Sequence, residues 1–337
     1  MIAQRRHLAL AALGLAAGCS GPPRRTPPPL ADQLANGDRD LKISLRNELR
    51  SEILDSYERD DVPDLDTALL PTIGAARIGV GPGDFLIDQD LVKFSSRWPL
   101  TIDPAMAQSV RSKHLDVTLA ADTSAAWMFD EVSWRLTICG RTLVIPLRLT
   151  ALYARDGDRW IPALEHLSWG AAPVDLSVLG SSVQSATVSQ DIDQALEAAI
   201  APLLQAQIPA SPSWSKGPDA LMIGPDWSQE WRGLELVGKA LASGKLELED
   251  KRSGVVGRST DKATVAYWVG NLRTTGSAPQ RRLRASFVFE RHLRQWVVVQ
   301  GHVSAPIDDE SLARLTVGSA LAGLTPLTVQ CQLDDPR

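Results

Sequence analysis

Alternating apolar and polar residues predict a pair of strands in the first half of the chain and a matching pair in the second half. "IPLRLTALYARDGDRW" aligns without gaps on "RRLRASFVFERHLRQW", and the two final tryptophans, Trp160 and Trp296, are 136 residues apart. The apolar positions of period two are Leu147, Leu149, Ala151 and Tyr153 in one copy and Leu283, Ala285, Phe287 and Phe289 in the other. Each run leads through a polar turn into a second strand, "WIPALEHLSWGAAP" or "WVVVQGHVSAP". Period two is typical of strands, so each copy is predicted to be an antiparallel hairpin.

The similarity between the two copies extends upstream of the hairpins. "DVTLAADTSAAWMFDEV" and "GVVGRSTDKATVAYWVGNL" each predict two strands joined by a polar turn. Before them, "GPGDFLIDQDL" and "GPDWSQEWRGL" share a Gly-Pro pair that is predicted to end a strand and open a short helix. A longer amphipathic helix precedes each copy, with apolar residues at spacing four: Leu41, Leu45, Leu49 and Ile53 in the first, and Ile192, Leu196, Ile200 and Leu204 in the second.

Each unit therefore has helices first and strands after, which predicts an α+β fold with helices on one face of a sheet. The repeat divides the chain into a first domain over 38–173, a second domain over 174–306 and a carboxyl-terminal extension over 307–337. The cut is expected near 171–184, where the apolar periodicity lapses.

The order of these elements, the Gly-Pro turn and above all the pattern W-x5-H-[LV]-S resemble the SnoaL-like branch of the nuclear transport factor 2-like superfamily. The resemblance covers most of residues 39–306 and occurs twice. It implies two cone-shaped domains in tandem, each with helices packed on a curved antiparallel sheet that leaves a pocket. It also implies that one chain supplies an intramolecular pseudo-dimer, the pair that many relatives obtain by dimerising.

The amino terminus has the layout of an export signal over 1–18. Arg5 and Arg6 precede an apolar run that is too short to span a bilayer, and "AAGC" resembles the lipobox of bacterial lipoproteins. Lipidation of Cys19 is expected, followed by a Pro-rich tether over 19–37. Ser20 favours an outer-membrane anchor facing the periplasm, whereas the export route, twin-arginine or general secretory, stays open.

Charge and cysteine content narrow the partners. The net charge is -5 at pH 7, so no basic surplus points to nucleic acid. The expected partners are the membrane, through the lipid on Cys19, and a small apolar ligand or an envelope protein. Cys139 and Cys331 could pair in an oxidising compartment or stay as small buried residues, and the sequence leaves both open.

The two equivalent histidines, His166 and His302, are the candidate functional residues. Even separations along a strand predict that each shares a face with the tryptophan six residues before it and the serine two residues after it. We expect each histidine to be a structural lock bonded inside its own domain, and the alternatives are ligand binding, acid-base chemistry or packing of one domain on the other. The full candidate set for a pocket or lock is Trp127, His166, Ser168, Tyr267, His302 and Ser304.

Motifs of other enzyme classes are absent from the sequence. It contains no GxSxG elbow, no Walker loop and no HExxH helix, and neither candidate histidine has another ligand at metal-binding spacing. We therefore assign no catalytic residue, no cofactor and no metal. The sequence favours a non-catalytic binding module over the alternative, an isomerase, cyclase or dehydratase type of enzyme that uses a pocket histidine with a carboxylate.

Overall fold

The computed structural model describes residues 30–59, 75–81, 84–87, 107–138, 141–169, 215, 220–233, 245–256, 264–275, 282–292 and 295–307. One helix lies in these ranges, α1 (Leu30–Arg59). The strands before residue 170 are β1 (Ala76–Ile78), β2 (Phe85–Ile87), β3 (Ala107–Leu119), β4 (Ala125–Ile138), β5 (Arg141–Asp156) and β6 (Arg159–Trp169). The later strands are β7 (Leu221–Ile223), β8 (Glu230–Arg232), β9 (Lys245–Val256), β10 (Val265–Thr275), β11 (Arg282–His292) and β12 (Gln295–Ser304).

The described strands form two six-stranded sheets of the same topology. The first sheet has the order β2-β1-β6-β5-β4-β3, and the second has the order β8-β7-β12-β11-β10-β9. The predicted hairpins are present as β5–β6 and β11–β12, and Gly157 takes a φ of 67° in the first of these turns. Two sheets with equivalent strands fit two domains.

Both sheets are mixed, whereas the sequence predicted antiparallel sheets. The pairs β1–β6 and β7–β12 are parallel, and all other neighbouring strands are antiparallel. Parallel neighbours need a long connection, and the chain supplies one because four strands, β2 to β5, lie between β1 and β6 in the sequence. The short strand before each Gly-Pro pair therefore joins the sheet beside the last strand of its unit.

The segment after each Gly-Pro pair is a strand where the sequence predicted a short helix. β1 and β2 form a hairpin closed by the bond from Gly79 N to Asp84 O at 2.7 Å, and the bond from Gly224 N to Gln229 O at 2.8 Å closes the equivalent one. Trp231, in the second of these segments, pairs with Met222 and so lies in β8.

Helix α1 confirms the first predicted long helix. Leu45, Leu49 and Ile53 are buried at spacing four, and Tyr57 continues their row. They belong to one apolar cluster with residues of the first sheet. Leu41, predicted to share this stripe, is 49% exposed. The second predicted helix, with Ile192 to Leu204, lies outside the described residues, as does the proposed cut at 171–184.

Each sheet has two buried faces with different contacts. Each sheet has one side whose apolar cluster contains strand residues of that sheet alone, and we call this side the inner face. Its residues include Met128, Trp134 and Leu147 in the first sheet and Trp268, Phe287 and Phe289 in the second. We call the shared face the side that packs on the other sheet, where one cluster contains side chains of both. The residue that follows the predicted end of the second domain joins the opposite sheet, because Ile307 donates its N–H to the carbonyl of Val80 at 3.0 Å and is buried in the first cluster.

Candidate functional site: a histidine pair between the sheets and the inner face of the first sheet

The two candidate histidines meet at the shared face. The imidazoles of His166 and His302 stack with ring centroids 3.8 Å apart and an angle of 19° between their planes. Both side chains are completely buried. Strands β6 and β12 thus bring together two residues that are 136 positions apart in the sequence.

Every hydrogen bond described for the two imidazoles crosses between the sheets. His166 contacts Ser286 Oγ through Nδ1 at 2.8 Å and Ser304 Oγ through Nε2 at 2.7 Å. His302 contacts Thr150 Oγ1 through Nδ1 at 2.9 Å and Ser168 Oγ through Nε2 at 2.7 Å. The expected bonds within each histidine's own domain are therefore wrong: the histidines lock one sheet onto the other.

The four hydroxyl groups satisfy a neutral imidazole. A neutral ring donates from one nitrogen and accepts at the other, and a hydroxyl can take either role. Each buried ring nitrogen therefore has a partner without a proton being added. Because an unsatisfied buried polar atom costs about 1 to 3 kcal/mol, this complementarity stabilises the packed sheets.

Two buried arginines extend the contact on either side of the histidines. Arg148 donates to the backbone carbonyl oxygens of Asp226 at 2.9 Å and Gly224 at 2.6 Å. Arg284 donates to the carbonyl oxygens of Gly81 at 2.7 Å and Val80 at 3.1 Å. Each guanidinium therefore holds the Gly-Pro turn of the opposite sheet.

These contacts obey a pseudo-twofold relation. Arg148, Thr150, His166 and Ser168 each have a counterpart 136 residues later, and every contact between an imidazole and a hydroxyl in one set is repeated in the other. Each arginine also donates to the carbonyl of an equivalent turn residue, Asp226 or Gly81, whereas their second carbonyl partners differ. A residue that contacts its partner's equivalent, and is contacted in turn, is the mark of an isologous interface. Here both halves of such an interface belong to one chain.

Burial keeps both histidines uncharged. Desolvation lowers the pKa of His166 well below its usual value, and the neighbouring imidazole, Arg284 and Arg148 act in the same direction. Desolvation also lowers the pKa of His302, with Arg148 and Arg284 adding to the effect. Burial lowers the pKa of each arginine to about 10, so both guanidiniums stay charged at neutral pH.

The aromatic candidates Trp127 and Tyr267 also lie on the shared face. Both are buried in the apolar cluster formed by the two sheets. They are equivalent in register, because Trp127 pairs with Leu152 and Tyr267 pairs with Val288 on the next strand. All six residues of the candidate pocket or lock set therefore belong to one contact between the two sheets.

A β-bulge in each last strand explains why the even-spacing argument failed for the tryptophans. Trp160 and Trp296 lie in the inner-face clusters, on the opposite side from the histidines. The register skips Ala163 in β6 and Val299 in β12, again 136 residues apart. An extra residue shifts the alternation by one, so side chains on either side of the bulge change faces.

The inner face of the first sheet carries buried charged groups. Arg77 Nε donates to Glu165 Oε2 at 2.8 Å, and both side chains are about 5% exposed. Asp130 is completely buried on the same face, and its Oδ1 accepts bonds from Ser112 Oγ and His114 N, each at 3.1 Å. Sequence reasoning missed these residues because they lie far apart in the chain and belong to no motif.

Desolvation raises the pKa of Asp130, although the hydrogen bonds from Ser112, the backbone of His114 and the hydroxyl of Tyr57 oppose this effect. Its second oxygen, Oδ2, is also buried, and Tyr57 is the hydroxyl that acts on this carboxyl group.

The inner face of the second sheet has uncharged residues at all three equivalent positions. The strand register places Met222 at the position of Arg77, Gly301 at that of Glu165 and Gly270 at that of Asp130. A Cβ on Gly301 would lie 2.7 Å from the sulfur of Met222 and 2.9 Å from the ring of Phe287, so these side chains fill the space. The two inner faces therefore differ in chemistry, whereas the shared faces match.

The described residues contain no cluster of three or more His, Cys, Asp or Glu side chains that could hold a metal ion. They also contain no helix that is long and apolar enough to cross a membrane. Cys19, Cys139 and Cys331 lie outside these ranges, so their lipidation and pairing remain predictions.

Comparison with known families adds one assignment. Residues 192–308 match the family described as the SnoaL-like domain. The chain contains a SnoaL-like domain. This range includes the second sheet from β7 to β12. The comparison with curated proteins gave no match.

Several solved structures of the nuclear transport factor 2-like type are similar to part of the chain. An NTF2-like protein of unknown function from Pseudomonas putida has 18% identity over 35% of this chain and 87% of its own, with a TM-score of 0.28. A ketosteroid isomerase candidate from Parabacteroides distasonis has 16% identity over 36% and 93%, with a TM-score of 0.28. A calcium/calmodulin-dependent protein kinase II association domain candidate from Xanthomonas campestris has 15% identity over 38% and 97%, with a TM-score of 0.29.

Proposed function

We propose that this chain is a lipid-anchored protein of the bacterial envelope in which two tandem SnoaL-like domains form a built-in pair. In this proposal the first domain binds a small, mainly apolar ligand at its inner face, without catalysis. The second domain is the fixed partner that replaces the second subunit of a dimer.

The difference between the two inner faces carries this proposal. A gene duplication starts with two identical faces, and only the first sheet has Arg77, Glu165 and Asp130 where the second has Met222, Gly301 and Gly270. Burying charged groups costs free energy that even an ion pair such as Arg77–Glu165 often fails to recover, so their presence in one copy alone suggests a role other than packing. Mostly apolar sites with a few convergent polar groups are typical of small-molecule binding.

A transplant of the second face onto the first tests the proposal. R77M/A151F/E165G gives the first sheet the residues of the second, because Ala151 is equivalent to Phe287. The triple variant is expected to fold, since the second sheet already accommodates this trio. We expect native mass spectrometry of protein from its own host to show a bound molecule in the original chain and none in the variant.

A matched control uses the same ring at an exposed place. V144F changes a side chain that is 44% exposed and should leave the bound molecule in place. Equal amounts of bound molecule in the triple variant, or none in the original chain, would contradict binding at the first inner face.

The proposed anchor has a separate test. C19S should move the protein from the membrane fraction to the soluble envelope fraction, because the lipid can no longer be attached. A variant that still sediments with membranes after a high-salt wash would rule out anchoring through Cys19.

An isomerase, cyclase or dehydratase type of activity is the second candidate, and Asp130 favours it. A buried carboxyl group with a raised pKa near the Tyr57 hydroxyl is a plausible acid or base. The histidines do not serve this alternative, because all their described bonds go to hydroxyl groups of the shared face. If the molecule retained by D130N differs chemically from the molecule released by the original chain, the result would support the enzyme.

A further inference from the structure

We infer that the stacked pair of His166 and His302 is an acid-sensitive latch, which holds the two sheets together at neutral pH and releases them when the imidazoles are protonated. This inference concerns the shared face and stands whether or not the first inner face binds a ligand.

The geometry provides the switch. The two rings are 3.8 Å apart and completely buried, so a proton on either ring places a cation against the other ring and away from water. Two protons would place two cations in contact. Charges at this separation in a poorly solvated site repel strongly, whereas water solvates each imidazolium once the sheets separate.

Among the described residues, no carboxylate is hydrogen-bonded to either imidazole. The side-chain groups that hydrogen-bond the two rings are all hydroxyls, and they belong to residues of β5, β6, β11 and β12. The charges that act on the two imidazoles are those of Arg148 and Arg284, which are positive and disfavour protonation. The nearby acidic groups interact with other partners. Glu131, Asp226 and Glu230 act on Arg148, and Asp84 acts on Arg284. Glu165 bonds Arg77 on the other face of β6, and Glu290 bonds Ala121 N and His292.

Linkage gives the direction and size of the effect. The pKa of both histidines is lowered in the packed state and returns to about 6.5 when the rings reach water. The open state therefore binds more protons, and opening becomes more favourable as the pH falls below about 6.5. For two such groups the opening constant should rise by up to about 900-fold between pH 7.5 and pH 5.0, the limit that applies when the packed state takes up no proton in this range.

Hydrogen exchange of the full chain measures this constant. The amide of Ile307, whose hydrogen bond to Val80 O crosses between the sheets, should lose up to about 900-fold of its protection over this pH range, after correction for the intrinsic exchange rate. Circular dichroism at pH 5.0 should still show the strands, because the sheets separate without unfolding. Loss of the strand signal together with the protection would overturn the inference.

Two double variants separate the latch from general acid effects. H166Q/H302Q keeps polar side chains at the shared face but cannot titrate, so its protection should change less than 10-fold over the same range. H114Q/H292Q removes the same number of imidazoles at exposed positions, 59% and 51% for the side chains, and should behave as the original chain does. Equal losses of protection in both variants would overturn the latch.

The original chain alone gives a second readout, which does not depend on how well the glutamine variant folds. Between pH 6.0 and pH 5.0 the logarithm of the opening constant rises as the pH falls, and the magnitude of its slope equals the number of protons taken up on opening. The latch requires a slope well above one and close to two. A slope of one or below would exclude a paired latch.

Discussion

Removal of single groups from the histidine pair provides the sharpest test of the interface. H166A deletes a completely buried ring and two hydrogen bonds across the sheets, which should cost about 3 to 5 kcal/mol of unfolding free energy. S304A leaves the ring in place but removes the partner of its Nε2, which should cost about 1 to 3 kcal/mol. The pseudo-twofold relation predicts similar losses for H302A and S168A.

The coupling between these changes identifies the contact that matters. H166A/S304A should be about 1 to 2 kcal/mol less destabilised than the sum of its single variants, because both remove the same hydrogen bond. H302A/S168A should give the same coupling. A control pair, H166A with S56A, should be additive within about 0.5 kcal/mol, since the Ser56 hydroxyl bonds Ile53 O in its own helix.

Denaturant unfolding at pH 7.5 followed by tryptophan fluorescence measures all of these values. The design also separates the two kinds of lock. A lock within one unit predicts that His166 couples to Ser168 or Thr150, its neighbours on the same sheet. Coupling of His166 to these residues that exceeds its coupling to Ser304 and Ser286 would refute the reasoning.

Three further substitutions test other parts of the structure. G301A should destabilise by about 1 to 3 kcal/mol in thermal unfolding, because its Cβ would overlap Met222 and Phe287. R148M and R284M should each cost about 3 to 5 kcal/mol in denaturant unfolding, since each removes two hydrogen bonds that a buried guanidinium donates to the opposite sheet, and unequal losses would contradict the pseudo-twofold relation. The raised pKa of Asp130 means that the folded state binds its proton more tightly than the unfolded state, so this group penalises the fold above its folded pKa and the penalty disappears as the pH falls. D130N should therefore raise stability more at pH 7 than at pH 4, and the reverse order would show that the carboxylate stabilises the fold.

The sequence predicted the repeating parts of this fold because alternation and residue spacing survive in both copies. Leu147 to Tyr153 and Leu283 to Phe289 point to the inner faces as the period of two requires. Trp127, Trp160, Trp268 and Trp296 are all buried as well. Periodic burial is a local property, so it can be read along the chain.

Two errors came from features that a single strand does not display. A bulge adds one residue without any change of composition, so Ala163 and Val299 look like ordinary strand positions. The short segments after the Gly-Pro pairs fit a helix by spacing, yet the neighbouring strand supplies backbone partners that favour a strand.

The location of the histidines at the shared face was foreseen as one of four roles, but residue patterns did not select it. Strand spacing tells which residues share a face and not what lies opposite that face. The available signal for the shared face was that the same or similar polar residues stand at equivalent positions in both copies. Groups that bond each other across a twofold relation must be kept in both copies, and Arg148, Thr150, His166 and Ser168 all have such counterparts.

The same reasoning separates structural from functional residues in the rest of the chain. A contact between two equivalent faces constrains both copies together, which explains why the Trp-His-Ser pattern occurs twice. An inner face contacts only its own unit, so a role in one unit leaves the other free to change. Arg77, Glu165 and Asp130 have no charged counterparts at Met222, Gly301 and Gly270. The polar residues that match between the two units therefore hold the two sheets together. The charged residues that occur only in the first unit are where binding should be sought.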